Sequence, residues 1–306
     1  MRGKLVLAIC AATALTLGAA AKEVKLLTIG NSFADSAFVY LPKVAESAGD
    51  KIVMDRANIG GCPLEKHWKL VEQSEADPTF KPYNKKYNLR EKLESNKWDF
   101  VTIQQASHFS WKPETFQPYA KNLQEYVKKY APQAELLMQQ TWAYRFDEGR
   151  LASWKISQKE MFEKLVAAYD KAAKELGIRQ IPTGEAVQLA RETQPVKYVE
   201  YDLEAVKQLK YPDALPSEDG SFVRGLWWAT KKDKETGAEE KSIGKDAYHL
   251  NKRGQYLQAC LWYALLFDKP TSEIKFVPEG ITAEDAAFIR ETAQKALDAH
   301  KHRQQK

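Results

Sequence analysis

Histidine, cysteine and long apolar runs are scarce in this sequence, and each shortage excludes something. Five histidines occur in 306 residues. No two have metal-ligand spacing with a supporting acid, so no metal site is expected. Of the three cysteines, Cys10 lies in the first apolar run, which leaves Cys62 and Cys260. A multi-bridge disulfide framework is excluded. One bridge between these two, or two separate buried thiols, both stay open on sequence alone. Beyond residues 5–18 no apolar run is long enough to cross a bilayer, so stable membrane insertion is not expected. Excess charge is small too. The net charge is +5, part of it from Arg2 and Lys4, with both signs interleaved. That is too little to argue for nucleic acid as a partner. No internal repeat is visible.

What is present begins at the N-terminus. Arg2 and Lys4 precede the apolar run, and Ala19, Ala20 and Ala21 supply small residues before polar Lys22. This is the layout of a secretory signal peptide over residues 1–21, and it predicts a periplasmic or secreted protein. The rest, 22–306, is large for one domain but fits a single α/β domain with insertions.

Runs of β-prone residues stand at 24–29, 51–57, 98–103, 135–139 and 178–182. Between them lie helical patterns. Over 161–176, Phe162, Leu165, Val166, Tyr169, Ala172, Ala173 and Leu176 share one helical face, and 252–267 repeats the pattern. The stretch 282–300 predicts a further amphipathic helix, with a frayed basic tail from His300. Alternating strands and helices predict a three-layer α/β/α fold around a mostly parallel five-stranded sheet. Ligands bind such sheets beyond the carboxyl ends of their strands. Two stretches break the rhythm: a polar loop at 72–90, and a charged insertion at about 195–245 containing Trp227 and Trp228.

Two short motifs carry chemistry. The first strand runs into Gly30-Asn31-Ser32-Phe33, which puts a serine where a nucleophile meets substrate. Gly-Asn-Ser is also a common turn and helix cap. Near the other end, Asp246-Ala247-Tyr248-His249 can set a carboxylate beside an imidazole and fix its tautomer, with Asn251 free to cap the next helix. Ser32, Asp246 and His249 together make a candidate triad. Position 34 is Ala, so the Gly-x-Ser-x-Gly elbow of α/β-hydrolases is missing. His67 reads as a surface or core residue.

These motifs resemble those of the SGNH, or GDSL-like, hydrolase superfamily. Gly30-Asn31-Ser32-Phe33 resembles its first block and Asp246-Ala247-Tyr248-His249 its last. Asn58-Ile59-Gly60-Gly61 stands where the second block has its glycine. The third block departs: Ile103-Gln104-Gln105-Ala106-Ser107-His108 lacks the usual Gly-x-Asn-Asp and looks like a Gln-rich branch. The resemblance implies a flavodoxin-like fold and ester hydrolysis through an acyl-enzyme, without cofactor. It places an oxyanion hole at the backbone of Ser32, Gly60 and Gly61, with Gln104, Gln105 or His108 as third donor. Asn31, His108, Trp111, Trp142 and Trp227 are candidates to contact substrate, and the aromatics suggest an ester-bearing polysaccharide or small molecule. A lipase or thioesterase, and a non-catalytic glycan-binding protein, are the alternatives.

Overall fold

A computed structural model describes residues 21–233 and 235–305. The expected signal peptide therefore lies, but for Ala21, outside the described residues. The five β-prone runs form β1 (Glu23–Gly30), β2 (Lys51–Asn58), β3 (Phe100–Ile103), β4 (Glu135–Gln139) and β5 (Arg179–Ile181). They pair in the order β2-β1-β3-β4-β5, every pair parallel. Val24, Leu26, Leu27 and Ile29 of central β1 are all buried, as a strand covered on both faces requires. Edge strand β2 is more exposed.

Helices cover both faces. In chain order they are α1 (Ser32–Asp35), α2 (Leu41–Ser47), α3 (Leu64–Ala76), α4 (Leu89–Glu94), α5 (Tyr119–Tyr130), α6 (Gly149–Trp154), α7 (Gln158–Leu176), α8 (Thr183–Thr193), α9 (Leu203–Gln208), α10 (Lys252–Phe267) and α11 (Ala283–Gln304). One layer packs α2, α8, α10 and α11 together, and the other α3, α4, α5 and α7. The three-layer α/β/α fold expected from the alternation is the one observed.

Four details differ from the sequence reading. Helix α10 is buried nearly all round rather than on one face. The reason is α11, whose Ala286, Ile289, Ala293 and Leu297 close over its outer side. A helix apolar on every side belongs in a core. The tail does not fray at His300 either. That residue is buried, with Nδ1 2.7 Å from Glu185 Oε2, and Arg303 pairs with Asp170 and Glu185. The polar stretch 72–90 contains the end of α3 and the start of α4, so only 77–88 lies between helices. Finally, the charged insertion contains most of a second sheet. Strands β6 (Val223–Lys232) and β7 (Glu239–Leu250) pair antiparallel as a two-stranded arm. Largely solvated, its outer part carries little of the apolar alternation that marks a strand. Cys62 and Cys260 are separate, buried free thiols.

Candidate active site

Ser32 is the first residue of α1, directly after β1. The turn that presents it is held from behind. Asn31 caps the helix, its Oδ1 accepting from Phe33 N at 3.1 Å. The same oxygen accepts from Gln104 Nε2 at 2.6 Å, and Asn31 Nδ2 donates to Cys62 O at 3.2 Å. Gly30 leaves room for this: a Cβ there would stand 2.9 Å from the Gln104 side chain. Phe33 O accepts from both Gln139 Nε2 at 3.2 Å and Gln258 Nε2 at 3.0 Å, which fixes α1 to β4 and α10.

A buried histidine completes the support. His67 Nε2 lies 2.9 Å from Gly30 O and Nδ1 lies 3.0 Å from Tyr83 Oη. A carbonyl only accepts, so Nε2 carries the proton and Nδ1 accepts from the tyrosine. Burial, helped by nearby Lys66, pushes the imidazole down to about 4 against the Gly30 hydrogen bond, so it is neutral at pH 7.

Asp246 and His249 stand at the inner end of β7. In a regular strand, residues three apart point to opposite faces. Here the pairing steps from Gly225↔Asp246 to Val223↔Leu250, so two residues of β6 span four of β7. This irregularity turns the two side chains toward one another. Asp246 Oδ1 accepts the backbone N–H of His249 at 2.9 Å and of Tyr248 at 3.3 Å, while Oδ2 faces His249 Nδ1 at 2.9 Å. His249 Nε2 lies 2.8 Å from Ser32 Oγ. Burial raises the Asp246 carboxyl, but the hydrogen bonds from His249 and Tyr248 outweigh it and hold the group below the ordinary carboxylate value. Arg224 Nη1 is 3.5 Å from Oδ2 on the open side.

Several elements hold the inner end of the arm in place. Trp142 Nε1 donates to Tyr248 O at 2.7 Å, and its ring stacks on Phe33 at 4.1 Å between centroids. Arg145 N donates to Ala247 O at 2.9 Å, while its guanidinium binds Asp147 at 2.7 Å through both arms and also pairs with Glu218. Asn251 Oδ1 caps α10 by accepting from Gly254 N at 3.1 Å.

The other candidates divide. Gly60 and Gly61 are exposed beside the serine turn, tied there by Ile59 N donating to Gly30 O at 3.0 Å. Gln105 is not an available oxyanion donor. Its Oε1 accepts from Leu64 N and Ala106 N, and its Nε2 donates to both Thr115 O and Thr115 Oγ1. Gln104 is buried and spends one amide N–H on Asn31. Asn31 is buried, its amide engaged by Phe33 N, Gln104 Nε2 and Cys62 O, so it shapes the turn rather than facing substrate. Trp142 is 0% exposed and cannot touch substrate. Trp111 turns to Trp154, at 5.3 Å between ring centroids, and to the flank of α7. His108 is half-buried against Phe109. Trp227 is exposed on β6.

The supporting residues His67, Tyr83, Gln139, Gln258 and Arg145 went unread in the sequence as parts of this site. None carries a local signal: His67 and Tyr83 meet the turn only through the packing of α3 and the loop after it.

A family model described as "Domain of unknown function (DUF4886)" matches residues 25–204. The chain belongs to the DUF4886 family. A crystal structure of a DUF4886 family protein from Bacteroides uniformis is similar, at 25% identity and a TM-score of 0.68, covering 90% of this chain and 95% of that one. A protein from Slackia heliotrinireducens described as "a putative SGNH hydrolase" is 19% identical, with a TM-score of 0.49, over 80% of this chain and 99% of its own. No curated protein matches the sequence. This DUF4886 chain has the flavodoxin-like 2-1-3-4-5 order of parallel strands, with Ser32 after β1 and the Asp-x-x-His segment before α10.

Proposed function

We propose that this DUF4886 protein is a serine ester hydrolase with Ser32 as nucleophile, His249 as general base and acid, and Asp246 as the group that orients His249. One observation carries the reading: the continuous chain Ser32 Oγ–His249 Nε2 at 2.8 Å and His249 Nδ1–Asp246 Oδ2 at 2.9 Å. Such a relay lets the imidazole take the serine proton as Oγ attacks an ester carbonyl, while the carboxylate keeps Nδ1 protonated and stabilises the imidazolium. The backbone N–H groups of Ser32 and of Gly60 or Gly61 receive the oxyanion. With Gln105 engaged elsewhere, the side-chain donor is the second amide N–H of Gln104 or the His108 ring. Each such donor is worth about 3 kcal/mol in the transition state. His249 then protonates the departing alcohol, and water, deprotonated by the same ring, releases the acid from Ser32.

The substrate in this reading is an acetyl or methyl ester on a carbohydrate, met outside the cytoplasm after removal of residues 1–21. Short and long aryl esters, offered to wild type and to Ser32→Ala, test it. Wild type should cleave the short esters and the variant should lose at least about 10³-fold. Equal rates in the two proteins would sink the nucleophile assignment. A preference for long chains would replace the carbohydrate ester by a lipid one.

A further inference from the structure

Trp227 is the most exposed of the candidate aromatics, and its surroundings give it a shape. It is 44% exposed. It pairs across the arm with Gly244, and a Cβ on that glycine would stand 2.4 Å from Trp227 Cε2 and 2.6 Å from Nε1. The indole therefore lies on the backbone of β7, and only a residue without a side chain lets it do so. No other aromatic ring or cation stacks on Trp227 among the described residues. Neighbouring Trp228 is different: its Nε1 donates to Asp213 O and Tyr211 packs edge-on against it.

The position along the strand matters as much. Gly244 and Asp246 are two residues apart in a stretch of regular register, Trp227↔Gly244 and Gly225↔Asp246. Residues so spaced share a face, about 7 Å apart. The indole thus lies on the face of the arm from which Asp246 reaches His249. An exposed tryptophan held flat on the same face of the arm as Asp246 is a ready surface for a ring with an apolar face.

We propose that Trp227, seated on Gly244, is a subsite for a pyranose ring of a polysaccharide whose ester group reaches Ser32. A pyranose with equatorial hydroxyls presents C–H groups on both faces, which suits stacking on an indole. The nearby Nε1 can donate to a ring hydroxyl. The inference rests on the esterase reading for its substrate, but the subsite can be tested without turnover.

The probe is xylo-oligosaccharide, esterified and unesterified, titrated into Ser32→Ala protein and followed by tryptophan fluorescence and calorimetry. Binding should be saturable and should weaken about tenfold or more in Ser32→Ala/Trp227→Ala. Ser32→Ala/Gly244→Val, which keeps the indole but lifts it off its seat, should weaken binding as well. In active protein, Trp227→Ala should raise KM for the acetylated oligosaccharide while leaving kcat unchanged. Equal affinity with and without Trp227, or no binding to either oligosaccharide, would overturn the subsite. Trp227-dependent binding by a wild-type protein that cleaves no ester would instead overturn the esterase and leave the subsite standing.

Discussion

Asp246 does two jobs with its two oxygens. Oδ1 holds the local turn through the His249 and Tyr248 N–H groups, and Oδ2 faces the imidazole. Asparagine can keep the first job, because its carbonyl still accepts. It fails the second, because an amide neither fixes the Nδ1–H tautomer as firmly nor stabilises the imidazolium. Asp246→Asn should therefore lower kcat by about 10⁴-fold on a short aryl ester. Its thermal midpoint should stay close to wild type. Kinetics and a melting curve on the same preparation check both, and near-normal turnover would remove Asp246 from the relay. Ser32 was legible as a candidate, a residue type at a strand end. The Asn31–Gln104–Gly30 packing behind it was not, because a side-chain hydrogen bond across 73 positions leaves no mark on either segment.

Among the elements, Gln105 decides how β3 meets the helices around it. Its amide joins the end of β3 to the start of α3 through Leu64 N and to the loop around Thr115. Gln105→Ala would leave two buried backbone N–H groups and a carbonyl without this partner, which costs about 3 kcal/mol. Urea unfolding should show that loss, and Gln105→Glu should not fully restore stability, since a carboxylate cannot donate to Thr115. Unchanged stability would mean that the amide is dispensable. Strands β1 to β5 and α10 could be read because their apolar pattern is local. The β6–β7 arm could not: its outer part is largely solvated and lacks an apolar alternation, so the sequence shows only a charged insertion there.

For the molecule as a whole, His67 couples the serine turn to pH. Its folded value of about 4 lies below the ordinary ~6.5 of an unfolded histidine. The unfolded chain therefore takes up this proton first as pH falls. Stability from neutral His67 is complete above pH ~6.5 and is lost progressively toward pH 4, about 2 kcal/mol of it by pH 5. The lowered carboxyls, among them Asp246, Asp147 and Glu185, contribute in the same direction but only at lower pH, below the ordinary carboxylate range. His108, also lowered by burial and by Arg150 and Lys112, overlaps the His67 window. Comparing urea midpoints at pH 7 and pH 5 in wild type and His67→Gln separates them. The fall between the two pH values should be smaller in the variant. An equal fall would assign the acid lability elsewhere.

The sequence by itself determined the strand and helix order, hence a parallel sheet, and it named Ser32, Asp246 and His249 as candidates beyond its carboxyl edge. Those features depend on periodicity and on chain position, which a single sequence contains. Only the tertiary structure decided which polar side chains face the serine and which support it. Gln105 and Asn31 are consumed by backbone and side-chain groups of other segments, Trp142 is sealed beneath Phe33, and His67 stands behind Gly30. The orientation of an amide or an indole depends on partners tens to hundreds of residues away, and those distances close only when the layers pack.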